Sequence, residues 1–155
     1  MAVGAVTRAV GTHNLPESVL ALSSLSGIDY ADHFTLLTDA NATPEAWARA
    51  MFGDTPSAGE QLIWHVVLGL RLSRGRSPDT VAGWWIGGRG DDWIRLEAAS
   101  WFLAANLVVQ ASGDRVALAT FIHYDRWLAH LMWPRLSAIH RGLIPNVLRN
   151  AANRV

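Results

Sequence analysis

The chain has 155 residues, half of them hydrophobic and 17% charged, with a formal net charge of zero and no cysteine. That composition excludes disulfides, thiolate chemistry and Cys-type zinc sites. With no basic excess to hold a phosphate backbone, it also argues against nucleic acid as a partner. Every basic residue is Arg, which removes Schiff-base and phosphate-loop lysines as well.

In chain order, residues 1–14 read as weakly ordered, and they lack the charged n-region and long apolar h-region of a signal peptide. Pro16 sits at a helix-start position, and 17–25 predicts a short helix ended by Ser26–Gly27. Residues 33–38 predict a first strand. Thr43-Pro44-Glu45 opens a helix to about Phe52, with Thr43 as cap, Pro44 in the first turn and Gly53 as the stop. Ser57 can cap a second helix, apolar from Gln61 to Leu72 except at Gln61, His65 and Arg71. A polar loop over 73–79 follows. Strands are expected at 81–86, 93–98, 101–110 and 115–124, joined by hairpin turns at 87–91 and 112–114.

In the last of these strands Val116, Leu118, Thr120, Ile122 and Tyr124 share one face, and Arg115, Ala117, Ala119, Phe121 and His123 the other. The first set is bulkier and should face the core. The second is hardly polar, which points to a dimer or to a loop lying across the outside. Near-neutral charge fits a homodimer too, since it gives little colloidal repulsion.

From Arg126 onward the chain is amphipathic. Leu128, Met132, Leu136, Ile139 and Leu143 recur at helical spacing, with Arg126, His130, Ser137 and Arg141 opposite. Pro134 lacks a backbone donor, and an interior position costs about 3 kcal/mol or kinks the helix. The expectation is a bent helix, or two pieces meeting near Trp133–Pro134. A strand meander followed by one long apolar helix predicts an α+β domain, a curved antiparallel sheet wrapped around a C-terminal helix, spanning 1–155 with its core over 28–152. The longest apolar stretches, such as 101–109, are too short to cross a bilayer and are interrupted by Asn106. A cytoplasmic protein is the default.

Short phrases carry a family resemblance. They are Tyr30-Ala31-Asp32-His33-Phe34, Trp47-Ala48-Arg49-Ala50-Met51-Phe52-Gly53 and His140-Arg141-Gly142-Leu143-Ile144-Pro145, followed by Leu148-Arg149. With the element order, they resemble a small bacterial branch of the START-like and polyketide cyclase/dehydrase superfamily, the helix-grip fold. The resemblance implies more strands than the five counted here. It also implies an apolar cavity between sheet and helix that holds a lipid- or polyketide-like ligand. It does not imply one reaction, because this fold hosts both enzymes and carriers.

Candidate chemistry is sparse. His123-Tyr124-Asp125 is the densest polar cluster at an element boundary, and a His beside a carboxylate can act as a general base. Adjacent strand residues point to opposite faces, however, and the favoured reading puts His123 outside with Asp125 capping the helix. His65 is a second acid–base candidate, though a lone His on an apolar helix is more often a hydrogen-bonded core residue. Arg95 and Glu97 share a strand face, as a ligand-gripping pair or as a solvated one. His140 either orients a ligand or lies at the surface. Trp101, Tyr124, Trp127 and Leu131 are expected to line the pocket. Arg135 projects near the apolar face and needs an anionic partner, and Asn106 either meets a ligand or satisfies a bulge. Eight Trp among so few aromatics fit core, dimer contact or cavity wall equally. No metal-ligand spacing, dinucleotide-binding context or nucleophile elbow occurs, so no cofactor or metal is expected.

Three readings result: a binder of a hydrophobic or aromatic small molecule, a cyclase- or dehydratase-type enzyme, and a module that works through a partner. A cavity near 300 Å³ or more would favour the first two over the third.

Overall fold

Among the residues described by the computed structural model, 3–53, 69–73 and 77–155, seven strands form one sheet. They are β1 (Val3–Val10), β2 (Tyr30–Thr38), β3 (Thr80–Val81), β4 (Trp84–Arg89), β5 (Trp93–Ala99), β6 (Leu103–Ser112) and β7 (Arg115–Tyr124). Every pairing is antiparallel, in the order β1-β2-β7-β6-β5-β4-β3. Helices α1 (Glu17–Leu20) and α2 (Pro44–Phe52) precede the meander, and α3 (Trp127–Ala152) closes the chain. This is the expected α+β arrangement, a curved open sheet packed against a long C-terminal helix. No described helix is long and apolar enough to cross a membrane.

Local chemistry accounts for most element ends. The Thr43 side chain accepts from the Ala46 N–H, Pro44 occupies the first turn, and Gly53 at φ 80° returns its N–H to the Arg49 carbonyl. Trp47, Ala48, Met51 and Phe52 are thereby turned inward. The second predicted helix, with His65, lies in 54–68, outside the described residues. Its expected end does not form, because 69–73 is irregular and begins at Gly69 with φ 65°.

Two strands go beyond the expectation. Residues 3–10, read as weakly ordered, form the edge strand β1 on β2. Its three Val and one Thr favour an extended chain, and pairing with β2 fixes it as a strand. Gly4 permits the close approach, since a Cβ there would lie 2.7 Å from the Leu37 carbonyl oxygen. The single strand expected over 81–86 is a tight hairpin instead, with Ala82 (φ 51°) and Gly83 (φ 86°) turning β3 back onto β4. Two successive left-handed residues suit the twist of a two-residue hairpin.

The long helix is continuous through both prolines. Pro134 is exposed and Pro145 only half-buried, so carbonyls freed by the missing donors can turn to water. Its buried face is not the predicted one. Ala129, Trp133, Ser137, Ile144, Leu148, Ala151 and Ala152 are buried, whereas Ile139 is 57% and Leu143 49% exposed. Small side chains let the helix approach the sheet, and the larger Leu/Ile stripe is left along one flank.

The other sheet face is also covered. Residues 11–29 cross it as a strap that contributes Leu15 and Val19 to a second apolar cluster with Val108, Ala119 and Phe121. The weakly polar outer face of β7 is thus closed by the chain's own loop, one of the two expected covers. The predicted helix over 17–25 shrinks to the single turn of α1 within that strap.

Candidate functional site

Between the exposed flank of α3 and the sheet lies a cavity of about 170 Å³. β6 and β7 supply Ala105, Leu107 and Ile122 to its floor, and Trp84 of β4 and Phe52 of α2 stand at its sides. The helix contributes Trp133, Leu136, Ile139, His140, Leu143, Ile144 and Val147. Leu136, Ile139 and Leu143 belong to the predicted apolar stripe, which therefore lines a space rather than packing on the sheet. The volume falls short of the roughly 300 Å³ expected of a site for a drug-sized ligand, the mark set to tell a ligand site from a tightly packed helix.

One end of the cavity is polar. Asp32 and Thr120 are register partners on β2 and β7, both facing the helix. Asp32 is fully buried, and its Oδ2 accepts the Tyr30 hydroxyl at 2.5 Å. The same oxygen lies 3.1 Å from His140 Nε2, which is also 3.1 Å from Thr120 Oγ1. Arg141 donates to the Tyr30 oxygen at 3.3 Å. Burial, reinforced by the neighbouring Asp32 carboxylate, pushes the Tyr30 phenol well above its usual range, so it stays a proton donor. Trp133 braces both rings, edge-on to Tyr30 at 5.2 Å and tilted against His140 at 5.4 Å. Asp32 Oδ1 and the Trp133 indole nitrogen are buried without a hydrogen-bond partner. An imidazole held by a buried carboxylate is an arrangement suited to accepting or moving a proton.

The residues expected to line the pocket lie elsewhere. Trp101 is 56%, Trp127 69% and Leu131 48% exposed. Arg135 is exposed too. Tyr124 is half-buried, its ring edge-on to His130 at 4.7 Å. Burial, with Asp29 second, raises the Tyr124 phenol pKa. None of these five is a wall of the cavity. For the three on the helix the physical reason is the rotation of α3: Ala129 and Trp133 are buried toward the sheet, turning 127, 131 and 135 to the far side.

Asn106 is buried but faces the strap. Its Oδ1 accepts from Ser23 Oγ (3.2 Å), the Ser24 N–H (2.8 Å) and Ser24 Oγ (3.2 Å), and its Nδ2 donates to the Ala105 carbonyl. That makes it an anchor. Arg95 and Glu97 do pair, at 2.7 Å, on the outer face, where Arg95 also donates to the carbonyls of Leu22 and Gly87.

His123 lies on the outer face as well, 3.2 Å from Asp29 Oδ2 and 3.3 Å from Asp125 Oδ1. Its Nδ1 approach to Asp29 lacks hydrogen-bond geometry, and the Asp29 oxygen instead accepts the Tyr124 N–H at 2.7 Å. Asp125 does not cap α3, whose start has no side-chain cap. His123 and Tyr124 diverge, as strand alternation requires. No group of three or more metal-ligating side chains occurs among the described residues.

The Asp32–His140 pair spans 108 residues of sequence, and no local motif announces it. A signal was nevertheless present. Asp32 stands on the same strand face as Phe34 and Leu36, an acid where the alternation demands an apolar residue. The phrases bearing the family resemblance also contain Tyr30, Asp32, His140 and Arg141.

Comparison with known proteins adds no further assignment: no family model, no curated protein and no solved structure matches the chain.

Proposed function

We propose that this protein binds a small hydrophobic or aromatic molecule between the sheet and its C-terminal helix, in the manner of a helix-grip carrier. One observation carries the reading: a cavity with apolar walls and a single polar end remains beside a helix whose large apolar side chains face it. An apolar cavity of about 150 Å³ accommodates benzene, so a volume of about 170 Å³ suits one ring or a short branched chain. A full lipid tail or polyketide is too large for it. The Asp32–His140 pair favours a second reading, a cyclase- or dehydratase-type enzyme using the imidazole as base.

Titration with toluene, followed by NMR of the Leu107, Ile122 and Leu136 methyl groups, tests the binding reading. Saturable shifts at these methyls, lost when Ala105→Phe fills the floor, are expected. Shifts that never saturate, or that survive the filling substitution, would remove the proposal.

A further inference from the structure

Charge is unevenly spread along the chain. All 13 acidic residues precede Arg126, while Arg126, Arg135, Arg141, Arg149 and Arg154 lie in 126–155. A chain of zero net charge thus sets a cationic C-terminal helix on an anionic body, an asymmetry that points to an anionic partner. Arg141 and Arg154 are used within the fold, on the Tyr30 hydroxyl and the Ala50 carbonyl. Arg126, Arg135 and Arg149 are exposed, and their side chains have no hydrogen bond or ion pair among the described residues. The nearest acid in sequence, Asp125, is held 3.3 Å from His123 on the outer face of the sheet.

The same helix face is also apolar. With Ala129, Trp133 and Ser137 buried, Trp127 and Leu131 stand outward with Arg135 at four-residue spacing. Arg149 follows Leu131 by about five turns and so returns to that side. Trp101 lies at the same end of the molecule, because its neighbour Phe102 accepts the Arg126 N–H. A water-facing surface that joins Trp, Leu and Arg without an acid has the composition of a helix at a lipid–water interface. There indole rings sit at headgroup depth and guanidinium groups meet phosphates. We infer that the outward face of α3, together with the Trp101 turn, docks on an anionic membrane surface, the helix lying along it. Charge complementarity selects this occupant. A second copy would bring two cationic faces together, and duplex nucleic acid would pair the arginines but leave Trp127 and Leu131 in water. The inference is independent of the cavity, since the two share no residue.

The test is co-sedimentation of the intact chain with two kinds of vesicle, phosphatidylcholine alone and phosphatidylcholine with about one-third phosphatidylglycerol. Binding to the anionic vesicles is expected to be about a hundredfold tighter, on the order of fivefold for each of the three free arginines, and to weaken as salt rises. Arg135→Gln should lower it about fivefold. Trp127→Ala combined with Leu131→Ala should lower it on the order of thirtyfold. All three positions are exposed, and an unchanged urea midpoint checks that the variants fold. Equal binding of the unaltered protein to both vesicles, or none to the anionic ones, would overturn the inference. Vesicle binding that survives the double substitution would overturn it too. So would a dimer in solution that Leu131→Arg breaks, because this face would then belong to a second copy. Duplex DNA bound equally well with and without Trp127 and Leu131, and more tightly than the vesicles, would also refute it.

Discussion

The two faces of the sheet carry comparable polar residues put to opposite uses. On the outer face Asn106 and Arg95 are each tied by several bonds within the chain, and those bonds hold the strap against β5 and β6. On the inner face Asp32 keeps one oxygen unpaired and Trp133 an indole nitrogen. A buried polar group that is fully satisfied is fastening structure, and one that is not needs another explanation. The outer face also holds two buried unpaired nitrogens, His33 Nε2 and His123 Nδ1, so what sets the inner face apart is the cavity beside its unpaired groups.

The largest expected effect breaks the inner network. Asp32→Ala leaves the Tyr30 hydroxyl without its acceptor and removes the carboxylate 3.1 Å from His140 Nε2. It should cost about 3 kcal/mol, the upper end for losing a buried hydrogen bond to a charged group. Urea denaturation measures it, and a loss below about 1 kcal/mol would mean that the network holds nothing together. Next comes the outer anchor. Asn106→Ala abandons three donors of the strap and should cost about 2 kcal/mol. Hydrogen exchange would sharpen the comparison: amides of residues 15–28 should exchange faster while those of α3 stay protected. Equal acceleration on both faces would show that the strap is no separate fastening.

Much of this architecture was legible in the chain. The α2 cap, its glycine stop and the bounds of β7 follow from local rules, and these match residue for residue. The strand β1 was missed although its Val and Thr residues favour an extended chain, because its place beside β2 is a tertiary pairing that no local rule reports. The rotation of α3 was hidden for a related reason. Periodicity identifies the continuous Leu/Ile stripe, whereas the face packed on the sheet alternates small residues, Ala129, Ser137 and Ala151, with the large Trp133, Ile144 and Leu148. That one error moved Trp127, Leu131 and Arg135 into a pocket they do not line. His140, which borders that stripe, was already a candidate for orienting a ligand, and the structure makes it a wall of the cavity. The partnership of Asp32 with His140 depends on tertiary register, which no spacing rule reports.

A smaller effect separates the strap's two fastenings. Arg95 is half-buried and shares its guanidinium between Glu97 and two backbone carbonyls. Arg95→Ala should therefore cost about 1 kcal/mol, less than loss of Asn106. The double substitution with Asn106→Ala should fall short of the sum, because both single changes free the same segment. Strict additivity in denaturation would show that the strap is held in two independent places.

The smallest effect is a pH dependence carried by the outer face. His33 projects there between its register partners Ala9 and Ala119, with Nε2 buried and unpaired. Burial lowers its pKa below the ordinary imidazole value, and the neighbouring Asp32 charge offsets this only in part. In the interval between that lowered value and about 6.5, the unfolded chain binds a proton that the folded chain refuses. The stability tied to neutral His33 is present in full above the interval. It is lost as the pH falls through it toward the folded-state value. Urea midpoints should therefore decline from pH 7 to pH 5, and His33→Gln should flatten that decline without changing toluene binding on the inner face. An undiminished slope in His33→Gln would move the pH dependence to other groups.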